Sequence, residues 1–241
     1  MARFVDGEAW HLGVKPEDLG EYVLLPGDPF RTDIMAKYLD DAKLVGHKRE
    51  VKSWTGTLDG VKVSIVSTGM GGPSAAIVAE ELIASGCHTL LRVGTAGRVS
   101  EKSKDTSLDG VVVNAAVRDE GTTRQYIPIE YPAVANRQVV SALVEAAKTK
   151  NKNFLEGIAH CKDSFYGQHE PGSMPNEDEL LSRWKAWERG NVVCSEMETA
   201  ALFVVSSIRD VRAGAIMNFT DIEETIQVAV EAIRLLIQQD R

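Results

Sequence analysis

The segment YVLLPGDPFR, residues 22–31, sets the first limit on the fold. A short apolar run closed by proline and glycine reads as a buried strand. Gly27 then supplies a turn with no side chain, where an anion can approach the backbone, and Arg31 supplies a charge to hold it. A second apolar run, Thr89 to Val93, ends the same way, with Arg92, Thr95 and two glycines clustered in LRVGTAG. Ligands of α/β proteins bind outside the carboxyl ends of the sheet strands, so two such ends predict one anion pocket on an α/β sheet.

Strand and helix patterns alternate along the rest of the chain, with no Pro/Ser-rich linker, repeat or low-complexity tract to mark a boundary. Residues 1–241 are therefore expected to form one domain. Helices are predicted over 29–38, 72–85, 135–148, 177–187, 196–207 and 222–238, with a hairpin over 54–67 around Asp59-Gly60. Further strands are predicted over 110–117, 155–160 and 211–218. The expected fold is a three-layer α/β/α single domain whose central sheet is mixed and, with its hairpin insertions, partly barrel-like.

Composition removes several functions. With 44% apolar and 26% charged residues the chain falls in the ordinary globular class, and its net charge of -8 leaves no basic stripe for nucleic acid or a membrane surface. Cys87, Cys161 and Cys194 are odd in number and form no CxxC pair, so reduced thiols are expected, with neither disulfide nor zinc. The amino terminus carries charges where a signal peptide has its apolar core, which predicts a cytoplasmic protein. The five histidines show no HExxH grouping, and no GxSxG elbow is present.

SEMETAA, residues 195–201, places two carboxylates at the opening of an apolar helix. In one reading Ser195 caps the helix and Glu198 completes a capping box; in the other, one acid serves the fold and one a ligand.

At this point the residues carry a resemblance. GDPFR (27–31), STGMGGPSA (67–75), LRVGTAG (91–97) and SEMETAA (195–201) resemble, in order and spacing, the signatures of the nucleoside phosphorylase family, in its hexameric uridine and purine branch. FYGQHEP, residues 165–171, is similar to the base-recognition segment of the uridine-specific members. The resemblance implies reversible phosphorolysis of uridine to uracil and ribose 1-phosphate, with inorganic phosphate as co-substrate and no metal or organic cofactor. It also implies a homo-oligomer, a hexamer built as a trimer of dimers, with active sites shared between chains.

The family pattern assigns Gly27, Arg31, Arg92 and Thr95 to phosphate, joined by Arg49 lent from a neighbouring subunit. Arginine suits the task because its planar fork donates paired hydrogen bonds and stays charged. His11, in WHLG, matches the histidine that reaches across to the sugar's 5′-hydroxyl. Glu198 is expected to accept from the ribose hydroxyls and Met197 to pack on the sugar, while Glu196 is either a further ribose contact or a structural ion pair. Arg92 and Glu198 thus carry the chemistry. Gly69 to Gly72 line the same pocket or simply turn the chain into a helix.

For the base, Phe165 is expected to stack and Gln168 to pair with the pyrimidine edge. Where uridine-specific members place an arginine two residues after that glutamine, this chain has Glu170, which cannot donate when ionised. Lys162 is the expected replacement cation, against the alternative of a solvated lysine on a strand edge, and His169 is a second candidate donor. Asp221 sits where the bacterial purine members carry an acid that protonates the base, so purine phosphorolysis is the alternative function, unless Asp221 merely caps the next helix. Relatives also carry a loop over the base pocket at this point, whereas here Asp221 leads directly into Ile222. A nucleosidase of the same fold would leave three arginines around a neutral water, and a non-catalytic nucleotide-binding module would more naturally show GxGxxG.

Overall fold

A computed structural model of the chain describes residues 3–241. After a two-stranded ribbon, β1 (Phe4–Val5) and β2 (Glu8–Ala9), the chain enters the central sheet with β3 (Tyr22–Leu25), buried at all four positions. Asp28 then caps α1 (Pro29–Ala36), its carboxylate accepting from the Phe30 amide at 2.9 Å, with proline in the first turn. An antiparallel meander follows: β4 (Asp40–Lys48), β5 (Val51–Leu58) and β6 (Val61–Val66). Asp59 and Gly60 make its second turn, both at positive φ (50° and 77°), as a tight hairpin turn requires.

Beyond α2 (Gly72–Ala84) come β7 (Thr89–Thr95), β8 (Gly97–Arg98), β9 (Gly110–Asp119) and β10 (Ala133–Val134). The second half contains α3 (Arg137–Thr149), β11 (Phe154–Lys162), α4 (Phe165–His169), α5 (Glu177–Arg189), β12 (Cys194–Glu196), α6 (Thr199–Ile208), β13 (Arg212–Asn218) and α7 (Ile222–Asp240).

The sheet runs β4-β5-β6-β3-β7-β13-β9-β11-β12-β8, with β10 on β9. Pairing is mixed: β6, β3, β7 and β13 are mutually parallel, as are β9, β11 and β12, while β13 meets β9 antiparallel. β8 continues β7 after a single residue yet pairs with β12 at the far end, so the second half of the sheet curls until it meets its own beginning. That closure is the expected partial barrel, and it turns the carboxyl ends of β7, β11 and β12 toward one point.

Two apolar layers flank the sheet. α2 and α6 cover one face and α1, α3 and α7 the other, with Leu90 of β7 packed in the first layer and Leu91 and Val93 in the second. A strand covered on both sides reads as an unbroken apolar run, which is why β3 and β7 were conspicuous in the sequence.

Three expectations need correction. The helix expected to run to Tyr38 ends at Ala36, and the following DDAKLVGHK forms β4, an exposed edge strand without apolar alternation that is stabilised by pairing with β5. The helix expected from Glu196 starts at Thr199, because β12 carries the backbone in extended form through Glu196. Ser195 is therefore a strand residue and forms no capping box with Glu198; the Glu196 carboxylate caps α6 instead, accepting from the amides of Glu198 (2.8 Å) and Thr199 (2.9 Å).

Gly110 marks how tightly the sheet turns at the β9–β13 contact: a Cβ there would stand 2.0 Å from the Met217 carbonyl oxygen and 2.7 Å from the Phe154 ring. Gly110→Ala is expected to lower stability by about 1–3 kcal/mol, as overpacking does. Urea unfolding reads this directly, and an unchanged midpoint would contradict the packing described.

Candidate active site

A cavity of about 770 Å³ opens where β3, β7, β11 and β12 end. Gly27, Arg31, Arg92, Thr95, Lys162, Phe165, His169, Glu196, Met197 and Glu198 all line it, so residues drawn from four separate motifs share one space.

Arg92 organises this space. Its side chain is buried; Nε donates to Glu196 Oε2 at 3.1 Å and Nη2 donates to Glu198 Oε2. Nη1 is buried and has no hydrogen-bond partner. It lies 3.9 Å from the point where a Cβ on Gly27 would stand, so the bare turn after β3 faces an unused donor. A buried donor left unmatched costs about 1–3 kcal/mol, which an anion seated between Gly27, Arg31 and Thr95 would recover.

The two glutamates differ. Glu196 is spent on α6 and on Arg92, the structural ion pair among its two readings. Glu198 accepts from the Gly71 amide at 2.6 Å and from Arg92, and its oxygens border the cavity with lone pairs to spare. Burial raises the Glu198 carboxyl above the usual carboxylate range, opposed by Arg92 and reinforced by Glu196. Gly71 and Gly69, at φ 89° and 69°, hold the backbone that presents this amide, so Gly69–Gly72 turns the chain into α2 while Gly69 and Met70 also line the cavity.

On the α4 side, Phe165 is half exposed and packs against His169 with ring centroids 4.3 Å apart and the rings tilted by 35°. Lys162 ends β11 facing inward and is buried, which removes the reading of a solvated edge lysine. Gln168 lines an adjoining cavity of about 450 Å³ that shares Lys162 with the first; its Oε1 accepts from the Ser195 hydroxyl at 2.6 Å.

Besides Gln168, three expected residues do not line the cavity. Arg49 is exposed at the β4–β5 turn with φ 55°, and His11, half-buried, places Nδ1 2.5 Å from Glu81. Asp221 is exposed and caps α7 through the Glu223 amide at 2.8 Å, the structural alternative of its two readings. Glu50 was missed in the sequence: it lines the cavity and accepts from Ser74 Oγ at 3.1 Å. Its one signal is that it is an acid in the basic run HKREVK. Cys87, Cys161 and Cys194 are free and buried, and no group of three or more His, Cys, Asp or Glu among the described residues could hold a metal ion.

Burial holds the Lys162 ammonium below the usual lysine range, partly offset by Glu196. Between that lowered value and the ordinary one near 10.5 the unfolded chain binds more protons than the folded one, so this group's contribution to stability rises with pH across that window. At neutral pH the buried charge is a net cost. Lys162→Met is accordingly expected to melt at the same temperature as the parent or higher; a fall of several degrees would show that the ammonium supports the fold.

The sequence profile of the phosphorylase superfamily matches residues 21–237. The uridine phosphorylase of Treponema pallidum (strain Nichols) is 46% identical over 249 residues, covering 96% of this chain and 95% of its own. The guanosine phosphorylase of Halorubrum lacusprofundi is 37% identical over 206 residues, covering 86% of this chain and 80% of its own. Among solved structures, the uridine phosphorylase of Vibrio fischeri ES114 superposes with a TM-score of 0.85 at 27% identity, covering 95% of this chain and 98% of that one. With four motifs meeting in one cavity and a match running from residue 21 to residue 237, this protein belongs to the phosphorylase superfamily.

Proposed function

We propose that the chain is a uridine phosphorylase, a pentosyltransferase that moves ribose between uracil and inorganic phosphate. The observation that carries this reading is the unpaired Nη1 of Arg92, buried beside the Gly27 turn with Glu198 on the same guanidinium. A phosphate on Gly27, Arg31, Arg92 and Thr95 stands next to a sugar held by Glu198 and Met197. Its oxygen bonds to the anomeric carbon as the bond from that carbon to the base nitrogen breaks, and the base leaves with the electron pair. Glu198 steadies the positive charge that develops on the ring. Phe165 stacks on the departing uracil, and Gln168, Lys162 and His169 supply donors to its carbonyl oxygens. No metal or organic cofactor has a part in this scheme.

Arg49 and His11 enter the scheme only from a neighbouring subunit, which makes the working form a homo-oligomer, a hexamer with shared sites. The exposed Phe30 and Met70, 77% and 87% accessible beside this cavity, suit a surface that a second copy covers. The reaction and the chain's acidity fit a cytoplasmic enzyme, and among the described residues no helix is long and apolar enough to cross a membrane.

Purine phosphorolysis is the competing reading, favoured by the guanosine phosphorylase relative. It is weakened by Asp221, whose carboxylate is committed to the α7 cap. Release of free base from uridine and from inosine, each with and without phosphate, separates the readings. Phosphate-dependent uracil release is expected to exceed hypoxanthine release; the reverse preference would make this a purine enzyme, and release without phosphate would remove the role given to the arginines. Arg31→Ala is expected to raise KM for phosphate by roughly 10–100-fold, the loss of a charged hydrogen-bonding pair, with a smaller change in KM for uridine.

A further inference from the structure

Behind the base end of the cavity lies a line of buried polar side chains that the scheme above does not use. β11 and β12 run parallel with His160 opposite Ser195, and β9 and β11 with Lys162 opposite Asp119. Ser195 Oγ has three partners in consequence: Lys162 Nζ at 3.0 Å, His160 Nδ1 at 3.1 Å and Gln168 Oε1 at 2.6 Å. His160 Nε2 meets Asp119 Oδ2 at 2.9 Å, and Arg183 of α5 holds the other oxygen of Asp119. The imidazole is buried against Trp184 and Trp187. Burial raises the Asp119 carboxyl, but the His160 hydrogen bond and the Arg183 charge outweigh it and keep the group ionised.

A serine hydroxyl donates one hydrogen bond and accepts two. The lysine ammonium only donates, so Ser195 accepts there and has a single proton to give. The short contact to Gln168 Oε1 receives it, while the His160 ring sits between Ser195 and Asp119 and holds the serine in place. Gln168 is thereby fixed end for end: Oε1 is pinned by Ser195, and Nε2 faces Gly97, 3.9 Å from where a Cβ would stand on the cavity wall. A pyrimidine with a carbonyl beside an N–H needs the amide in a defined order, a donor for the oxygen and an acceptor for the N–H; turned over, the amide sets like against like.

We propose that Ser195, braced by the Asp119–His160 pair, is a positioning residue that fixes the order of the Gln168 amide for recognition of the uracil edge. This inference rests on the assignment of Gln168 to the base.

The test is steady-state kinetics in the direction of nucleoside synthesis, with uracil and ribose 1-phosphate varied separately. The proteins are the parent, Ser195→Ala, Ser195→Thr, Gln168→Ala and the Ser195→Ala/Gln168→Ala double variant. Ser195→Ala is expected to raise KM for uracil about tenfold, the worth of one well-placed hydrogen bond, and to leave KM for ribose 1-phosphate within about twofold. Ser195→Thr, which keeps the hydroxyl, restores most of the loss. The double variant is no worse than Gln168→Ala alone, because the serine acts through the amide. An unchanged KM for uracil in Ser195→Ala beside an impaired Gln168→Ala overturns the positioning role alone. So do additive losses in the double variant, or an equal rise in both KM values, which marks a distorted strand next to Glu196. An unaffected Gln168→Ala overturns the base-site assignment and this inference with it.

Discussion

One guanidinium, buried midway along β7 between two carboxylates, ties the structure together. Breaking such a pair from one side costs roughly 3–5 kcal/mol, because it strands a charge in a low-dielectric interior. The arrangement thus demands that β7, β12 and the start of α6 keep their relative positions. Arg92 comes from the first half of the sheet and Glu196 and Glu198 from the second, so the ion pairs exist only once the sheet has curled and β8 has paired with β12. The same three side chains leave one donor unpaired toward Gly27 and one carboxylate bordering the cavity. Fold stability and ligand readiness are two consequences of one contact.

The strand ends explain why the site can be rigid at its centre and adaptable at its edge. Gly27, Thr95, Lys162 and Glu196 stand on or next to strands whose other residues are locked into two apolar layers. Phe165, Gln168 and His169 belong instead to the five-residue α4, which Gln168 ties to the sheet through Ser195. The Gly27, Thr95, Lys162 and Glu196 side of the cavity is thus a preformed frame, whereas Phe165, Gln168 and His169 sit on a short segment outside the sheet.

The meeting of Gly27, Arg31, Arg92 and Thr95 in one cavity was legible in the sequence because its signals are local: an apolar run, a turn glycine and an arginine within ten residues, twice over. β4 was not legible, since its exposed DDAKLVGHK has no periodicity and its strand form comes from the partner β5. The capping box read from SEMETAA fails because β12 pairs with β11 and β8, which no residue within the motif reports. His160 and Asp119 were equally silent: a histidine on an apolar strand carries no sign of its partner until parallel register sets it opposite Ser195. The burial of Lys162 also follows from register, since it closes β11 beside Asp119 rather than at an edge.

The most direct test of the central claim is a crystal structure of the enzyme with phosphate and a non-reacting uridine analogue bound. A phosphate oxygen is expected about 2.7–2.9 Å from Arg92 Nη1, with Arg31 on the same anion and Glu198 accepting from the ribose hydroxyls. An anion seated elsewhere, with Nη1 of Arg92 still unpaired, would contradict it.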